Sequence, residues 1–392
     1  MDPIPLLCDL VSVNSVNPSL VPGAPGEAHV AEVCRDALIA AGLDVRLQEA
    51  APGRPNVIGL LESATPGPAV MLCGHLDTVG VEGMIDPFVP RIENGRLFGR
   101  GSQDMKSGVA AMVAAAGVLA QTWTRGRLIV AAVVDEEHES LGAEALVREW
   151  RADAAIVTEP TDLQLAIGHK GFAWLDVITR GRAAHGSRPA DGRDAILGMG
   201  RLMVALEALD RELQSRPPVD LQGTGSLHAS IIRGGRELSS YPDRCTLQME
   251  RRTVSGEDGA SVLAELRSII DGIRASDAQF EAEAQLVTYR PAYRLDSRDP
   301  LVSAMSEAVG RAGRPSSPVG MSFWTDAAIL GDAGIPTVLF GPGGAGLHSL
   351  SEYVNVDDVY VCRDVIVDAV RRMTGPGGPG VKPGSDRGLT PV

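Results

Sequence analysis

The residues of this chain best suited to chemistry are His75-Leu76-Asp77, the run Gly99-Arg100-Gly101-Ser102-Gln103-Asp104-Met105-Lys106, the acidic triplet Asp135-Glu136-Glu137, and Glu159 and His348. They supply two imidazoles and at least four carboxylates, and no cysteine interrupts the series. Imidazole nitrogen and carboxylate oxygen are the donors that hold zinc-like divalent ions. The series reads as a two-metal hydrolytic centre. Each member alone has an ordinary explanation, because a His-x-Asp triplet recurs by chance and a Glu-Glu pair is more often a solvated face.

The elements that must position these residues set them apart from chance. Ala69-Val70-Met71-Leu72-Cys73 is a continuous apolar run that reads as a buried strand, with His75 just beyond it. Leu128 to Val134 is a second such run, ending at the acidic triplet, and Ala154 to Val157 is a third, ending at Glu159. In open parallel sheets, ligands bind beyond the carboxyl ends of the strands. Three donor groups at three such ends therefore converge on one crevice. Asp77 lies two residues after His75, on the same side of an extended segment, where it can hold the second ring nitrogen. Glu136 and Glu137 are adjacent, so an extended backbone points one towards a metal and the other elsewhere, as a division between ligand and base requires.

Around these strands, Glu27 to Ala41 and Ser107 to Ala120 read as helices, and Gly42 and Gly95 mark turns, which gives an α/β pattern with a largely parallel sheet. From about Phe172 to Val287 the texture changes to alternating strands and two amphipathic helices. Arg193 to Leu213 carries Ile196, Met199, Met203, Leu206, Leu209 and Leu213 at helical spacing, and its methionines read as core. Ala260 to Ile273 is the second helix, and Gly225-Ile232 and Cys245-Arg251 are strands. This is a compact α+β insert. The first pattern resumes near Tyr293 and closes with a helix from Asp357 to Met373. The expected organisation is a discontinuous domain over 1–171 and 290–373, an insert over 172–289 and a Pro/Gly-rich tail over 374–392, expected to be disordered. The run Gly341 to Gly346 lacks nucleotide-binding spacing and reads as a flexible loop that brings backbone close to metal and delivers His348.

The stretches Gly74 to Val79, Gly99 to Gly108, Asp135 to Gly142 and Thr158-Glu159-Pro160-Thr161 resemble the signatures of the acetylornithine deacetylase, succinyl-diaminopimelate desuccinylase and carboxypeptidase G family of di-zinc amidohydrolases. The resemblance continues through Gly181 to Ile196, Tyr241 to Gly256 and Phe340 to Val354, and Gly-x-x-x-His-x-x-x-Glu-Tyr-Val around His348 is a recognisable end of the family's loop. It implies a mainly parallel-sheet catalytic domain of zinc-exopeptidase type with an inserted α+β dimerisation, or lid, domain. Position by position, it implies that Asp104 bridges two metals, that His75 and Glu159 complete one site, and that Glu137 and His348 complete the other. Glu136 matches the general base and Asp77 the carboxylate that orients the first histidine. His185, in Gly181-Arg182-Ala183-Ala184-His185-Gly186, matches a histidine that reaches the partner subunit's metal centre and stabilises the oxyanion. Arg252 matches an arginine that grips a substrate carboxylate; its ordinary alternative is an edge-strand salt bridge.

The implied activity is hydrolysis of the amide of an N-acyl amino acid or similar small carboxylate-bearing substrate, with two divalent metal ions, Zn2+ or substituting Co2+, in a homodimer joined through 172–289. Alternatives are a dipeptidase or carboxypeptidase of the same family and, from another class, a catalytically silent homologue that binds metal or ligand. Between Val79 and Pro87 the chain departs from the family, being short and without the usual tryptophan.

Length and composition fit this reading. At 392 residues the chain is long enough for two domains, and a hydrophobic content of 44% is ordinary for a globular protein. A net charge of -14, with no basic stripe, argues against nucleic acid or an anionic membrane as partner. The five cysteines, Cys8, Cys34, Cys73, Cys245 and Cys362, have no paired spacing and read as free thiols in a reducing compartment. Met1 to Pro5 lacks a basic start followed by an apolar segment, and no run of 18 apolar residues exists, so a cytoplasmic location is expected.

Overall fold

The computed structural model describes residues 1–375. Of the tail expected over 374–392, Thr374 instead ends the last helix, buried, and residues 376–392 lie outside the described residues. The chain divides into two compact units, one formed by Met1–Ile167, Leu295–Val319 and the chain from Thr325 onward, the other by Gly168–Arg294 with Gly320–Trp324.

In the first unit the strands Asp44–Ala51, Arg54–Glu62, Arg127–Val133, Ala69–His75, Ala154–Val157 and Thr337–Leu339 lie side by side in that order. The last four are mutually parallel, with His75 opposite Val133 and Cys73 opposite Val157. Arg54–Glu62 joins them antiparallel, and Asp44–Ala51 pairs antiparallel with it in turn and so runs in the direction of the four. The three apolar runs are thus neighbours pointing the same way, and the residues that follow them emerge at one edge. The helix Ser107–Ala120 packs against Pro3–Ser12 and Val356–Thr374. It is small and apolar all round because it is buried all round. Local capping fixes Pro3–Ser12, where Asp2 accepts from the Ile4 amide with Pro3 in the first turn, and Pro300–Arg311, which packs on Val356–Thr374 and starts with Asp299 accepting from Leu301 beside Pro300.

The second unit is a four-stranded antiparallel sheet in the order Ser226–Gly234, Arg244–Thr253, Gly171–Arg180, Glu281–Arg290. The helices Ala195–Ser215 and Gly259–Ser276 cover it over a core that includes Leu175, Met199, Leu247, Leu266 and Phe280. Asp194 and Asp258 cap them, the latter in a reciprocal box with Ser261.

Two expectations are corrected. Ile196 and Met203 are exposed, because the buried stripe of their helix runs through Ala195, Gly198, Met199, Leu202, Leu206, Leu209 and Leu213 and leaves those two residues at its outer margin. The glycine run before His348 is built into structure: Gly344–Ala345 pairs with Tyr353–Asn355, which in turn pairs with Arg96–Phe98. All five cysteines are free thiols. Among the described residues, no helix is long and apolar enough to cross a membrane.

Candidate metal centre

His75 ends its strand with its ring buried. Its Nδ1 lies 3.0 Å from the Asp77 carbonyl, to which it must donate, so the lone pair of the neutral ring sits on Nε2. That nitrogen faces Asp104 Oδ1 at 3.2 Å, Glu136 Oε2 at 3.9 Å and Glu159 Oε1 at 4.0 Å. Asp77 therefore holds the ring chiefly through its backbone carbonyl, since its carboxylate is farther from Nδ1, at 3.6 Å. The carboxylate instead accepts the amides of Glu136 and Glu137, each at 3.1 Å, and the Asn17 side chain at 2.8 Å. One buried aspartate thus fixes both the first imidazole and the acidic pair.

Asp104 belongs to the single turn Ser102–Lys106, whose backbone is non-helical at Asp104 and Met105 and whose Asp104-Met105 peptide is cis. Its two oxygens face different imidazoles: Oδ1 faces His75, and Oδ2 lies 3.3 Å from His348 Nε2. His348 Nε2 is also 3.2 Å from Glu137 Oε2. Two groups result, His75 with Asp104 and Glu159, and Asp104 with Glu137 and His348, and within each one donor atom per residue lies within 4.8 Å of the others. Either group could hold a divalent ion, and Asp104 is common to both. Glu136 belongs to neither.

The electrostatics of these side chains favour added positive charge. Burial, followed by the neighbouring Glu159 carboxylate, pushes Glu136 well above the usual carboxylate range. Burial does the same to Glu159 and, with Asp104 beside it, raises Glu137. Burial pulls the His75 ring down, but the Asp104 hydrogen bond and the surrounding carboxylates outweigh it and hold the ring well above its ordinary value. His348 is pushed up to about 10 by Asp104 and Glu137. Burial opposes ionisation of Asp104 as well, yet the two imidazoles keep it below the ordinary range. Carboxylates crowded out of water in this way accept protons or bind cations.

Close backbone approach completes the site. A Cβ at Gly341 would lie 2.2 Å from the Glu159 carbonyl, and one at Gly108 would lie 2.0 Å from that of Thr158, so glycine alone lets these segments pass. Several contacts escaped sequence reasoning, which singled out Asp135 and Lys106 but gave them no partner, and passed over Arg54 and Asn17. Asp135 adopts φ +68 and is buried against Arg54, 2.8 Å away, and Arg54 also pairs with the buried Glu27. Asn17 links Asp135 to Asp77. No motif marks Glu27 or Arg54, and Asn17-Pro18 signals only a turn. Lys106 is buried, with Nζ donating to the carbonyls of Leu10 and Val13 at 2.9 Å each, and burial lowers its pKa to about 7.

His185 and Arg252 lie in the second unit. Nδ1 of His185 accepts from the Ser187 amide at 3.2 Å, so the neutral ring carries its proton on Nε2, and it stands on an exposed loop. Arg252 sits on the inner strand Arg244–Thr253, rather than on an edge, with its guanidinium 5.6 Å from the centre of the Phe172 ring and paired with Glu250.

Residues 71–372 match peptidase family M20/M25/M40. Acetylornithine deacetylase of Myxococcus xanthus is 30% identical over 341 residues, covering 84% of this chain and 87% of that protein. N-formyl-4-amino-5-aminomethyl-2-methylpyrimidine deformylase of Bacillus subtilis is 28% identical, covering 84% and 85%. A tripeptidase from Staphylococcus aureus shares the fold with a TM-score of 0.78 at 20% identity, over 94% of this chain and 97% of that one. A match of that extent, on a chain that brings two imidazoles around a shared aspartate, gives the assignment: the protein belongs to peptidase family M20/M25/M40 and is a metal-dependent hydrolase.

Proposed function

We propose that the protein removes the acyl group from a small N-acyl amino acid by hydrolysing its amide bond, using two divalent cations, Zn2+ or substituting Co2+. The observation that carries this reading is the placement of Asp104 between His75 and His348, with Glu159 and Glu137 completing the two groups. Their mixture of imidazole and carboxylate suits zinc. When bound, such a pair of ions supplies Lewis acidity to the scissile carbonyl and acidifies water.

Glu136 is the base. It stands beside both groups without belonging to either, its backbone is fixed by Asp77, and burial raises its proton affinity. Its carboxylate takes a proton from the attacking water and returns it to the departing amine. Arg252 binds the substrate carboxylate, for which a planar guanidinium offers two parallel hydrogen bonds. His185, with its proton on Nε2, donates to the developing oxyanion of the partner subunit's site. A homodimer through 172–289 is supported by the edge strand Ser226–Gly234, which leaves Ile231 and Ile232 exposed, and by Leu197 and Val204, exposed on the adjacent helix. The deacetylase and deformylase relatives support acyl removal from an amine. The free thiols fit a reducing compartment, the cytoplasm.

The test is a screen of chelator-stripped protein, reloaded with Zn2+ or Co2+, against acetyl, formyl and succinyl amino acids and dipeptides. Turnover of an N-acyl amino acid, lost on chelation and restored by metal, is the expected result. A folded, metal-loaded protein inert towards all of them overturns the proposal.

A further inference from the structure

We infer that Arg100 and Glu352 are positioning residues that lock the loop carrying Asp104 to the loop carrying His348, and so set the geometry of the second metal group. The inference rests on the two-metal reading above.

The two loops leave one end of a single strand pair, Arg96–Phe98 with Tyr353–Asn355. Glu352, immediately before the second strand, is 1% exposed, and its carboxylate accepts four hydrogen bonds, two on each oxygen. Oε1 takes the amides of Gln103 at 2.8 Å and Asp104 at 3.1 Å, and Oε2 takes Arg100 Nη1 at 2.6 Å and the Gly101 amide at 3.1 Å. The Asp104 turn is therefore wrapped around one buried carboxylate. Arg100, 3% exposed, extends the lock in the other direction: Nη2 donates to the carbonyls of Ser349, at 2.9 Å, and Gly80, at 3.2 Å. Ser349 follows His348 directly, and its own amide bonds the Gly346 carbonyl at 2.9 Å.

His348 needs such support more than the other donors do. His75 ends a sheet strand and Glu159 follows another, whereas His348 occupies the tip of a short hairpin, at φ +57 and with its side chain 53% exposed. Left-handed backbone at a histidine persists only where the surroundings hold it. The described hydrogen bonds that tie this tip to the Asp104 turn converge on Arg100 and Glu352. Replacing Glu352 by glutamine sets an NH2 group against two N–H donors and leaves the buried guanidinium without its counter-charge.

Calorimetric titration of metal-free full-length protein with Zn2+, with Co2+ absorption as a second readout, tests the inference. Wild type is expected to bind two ions. In Glu352→Gln one ion is expected to weaken by about 10- to 100-fold, the usual consequence of removing a partner that orients metal ligands, while the other stays within about threefold of wild type. Arg100→Lys keeps charge but loses the fork to Ser349 and Gly80, and should weaken the same ion by a smaller factor; it carries the test alone should Glu352→Gln fail to fold. Two unchanged binding steps in the folded variants overturn the inference, as does an equal loss at both steps, which marks a general structural role. If wild type binds fewer than two ions, the two-metal reading itself falls and this inference with it.

Discussion

His169 should make the protein acid-labile in a window that one substitution can erase. The ring is fully buried, 5.8 Å from the Tyr293 ring and 6.2 Å from that of Trp324, with Nδ1 donating to the Lys170 carbonyl at 2.9 Å. Burial is the main force against its protonation and the Arg252 charge adds to it; together they outweigh the Lys170 carbonyl and take the pKa from 6.5 to about 4. The folded state thus binds fewer protons than the unfolded chain between these values. The stability contributed by the neutral ring is complete above pH 6.5 and is lost as pH falls through 4. At about 1.4 kcal/mol per pH unit, the loss over that window is about 3 kcal/mol. Urea unfolding followed by tryptophan fluorescence at pH 7.5, 5.5 and 4.5 measures it. His169→Asn keeps an N–H donor near the Nδ1 position and cannot take up the proton, so its cavity cost is the same at every pH while the acid-dependent part disappears. Carboxylates and other histidines titrate in both proteins and cancel in the comparison. If the two stability curves stay parallel from pH 7.5 to 4.5, the reasoning is wrong.

Gly341→Ala would force a methyl carbon to within 2.2 Å of the Glu159 carbonyl, so it should lower metal affinity at least tenfold with secondary structure intact; undiminished affinity by calorimetry would mean the close approach is unimportant to the site. Arg252→Lys should raise KM about 10- to 100-fold for free-carboxylate substrates, from the roughly 1.5–3 kcal/mol of a charged hydrogen bond, and far less for the matching esters. Equal effects on both substrate types would leave Arg252 a structural partner of Glu250. Mixing inactive Glu136→Gln with inactive His185→Ala should restore activity, because one site of the mixed dimer is intact. Failure despite demonstrated subunit exchange would contradict action across subunits.

The candidate centre was legible in the sequence wherever a donor followed an apolar run: His75, Glu136, Glu137 and Glu159 need only strand polarity to meet, and the parallel register of those strands supplies it. Asp104 and His348 have no such periodicity behind them and were placed by resemblance. The long helices were recognisable from spacing, but spacing alone did not separate Met203 at the margin of its stripe from Leu202 within it. The antiparallel strands Asp44–Ala51 and Arg54–Glu62 escaped because pairing direction leaves no mark in composition. Asn17, Arg54 and Glu352 act through hydrogen bonds to residues 60, 81 and up to 252 positions away. Local patterns do not report such contacts, which only the folded chain brings together.

The central claim is that Glu136 moves protons for a metal-dependent hydrolysis without itself holding the metals. Activity and metal content measured side by side for Glu136→Gln test it most directly. The variant should retain both equivalents of metal and lose at least about 100-fold in kcat, the usual scale of general acid–base catalysis. Two equivalents of metal with near-wild-type turnover would contradict the account.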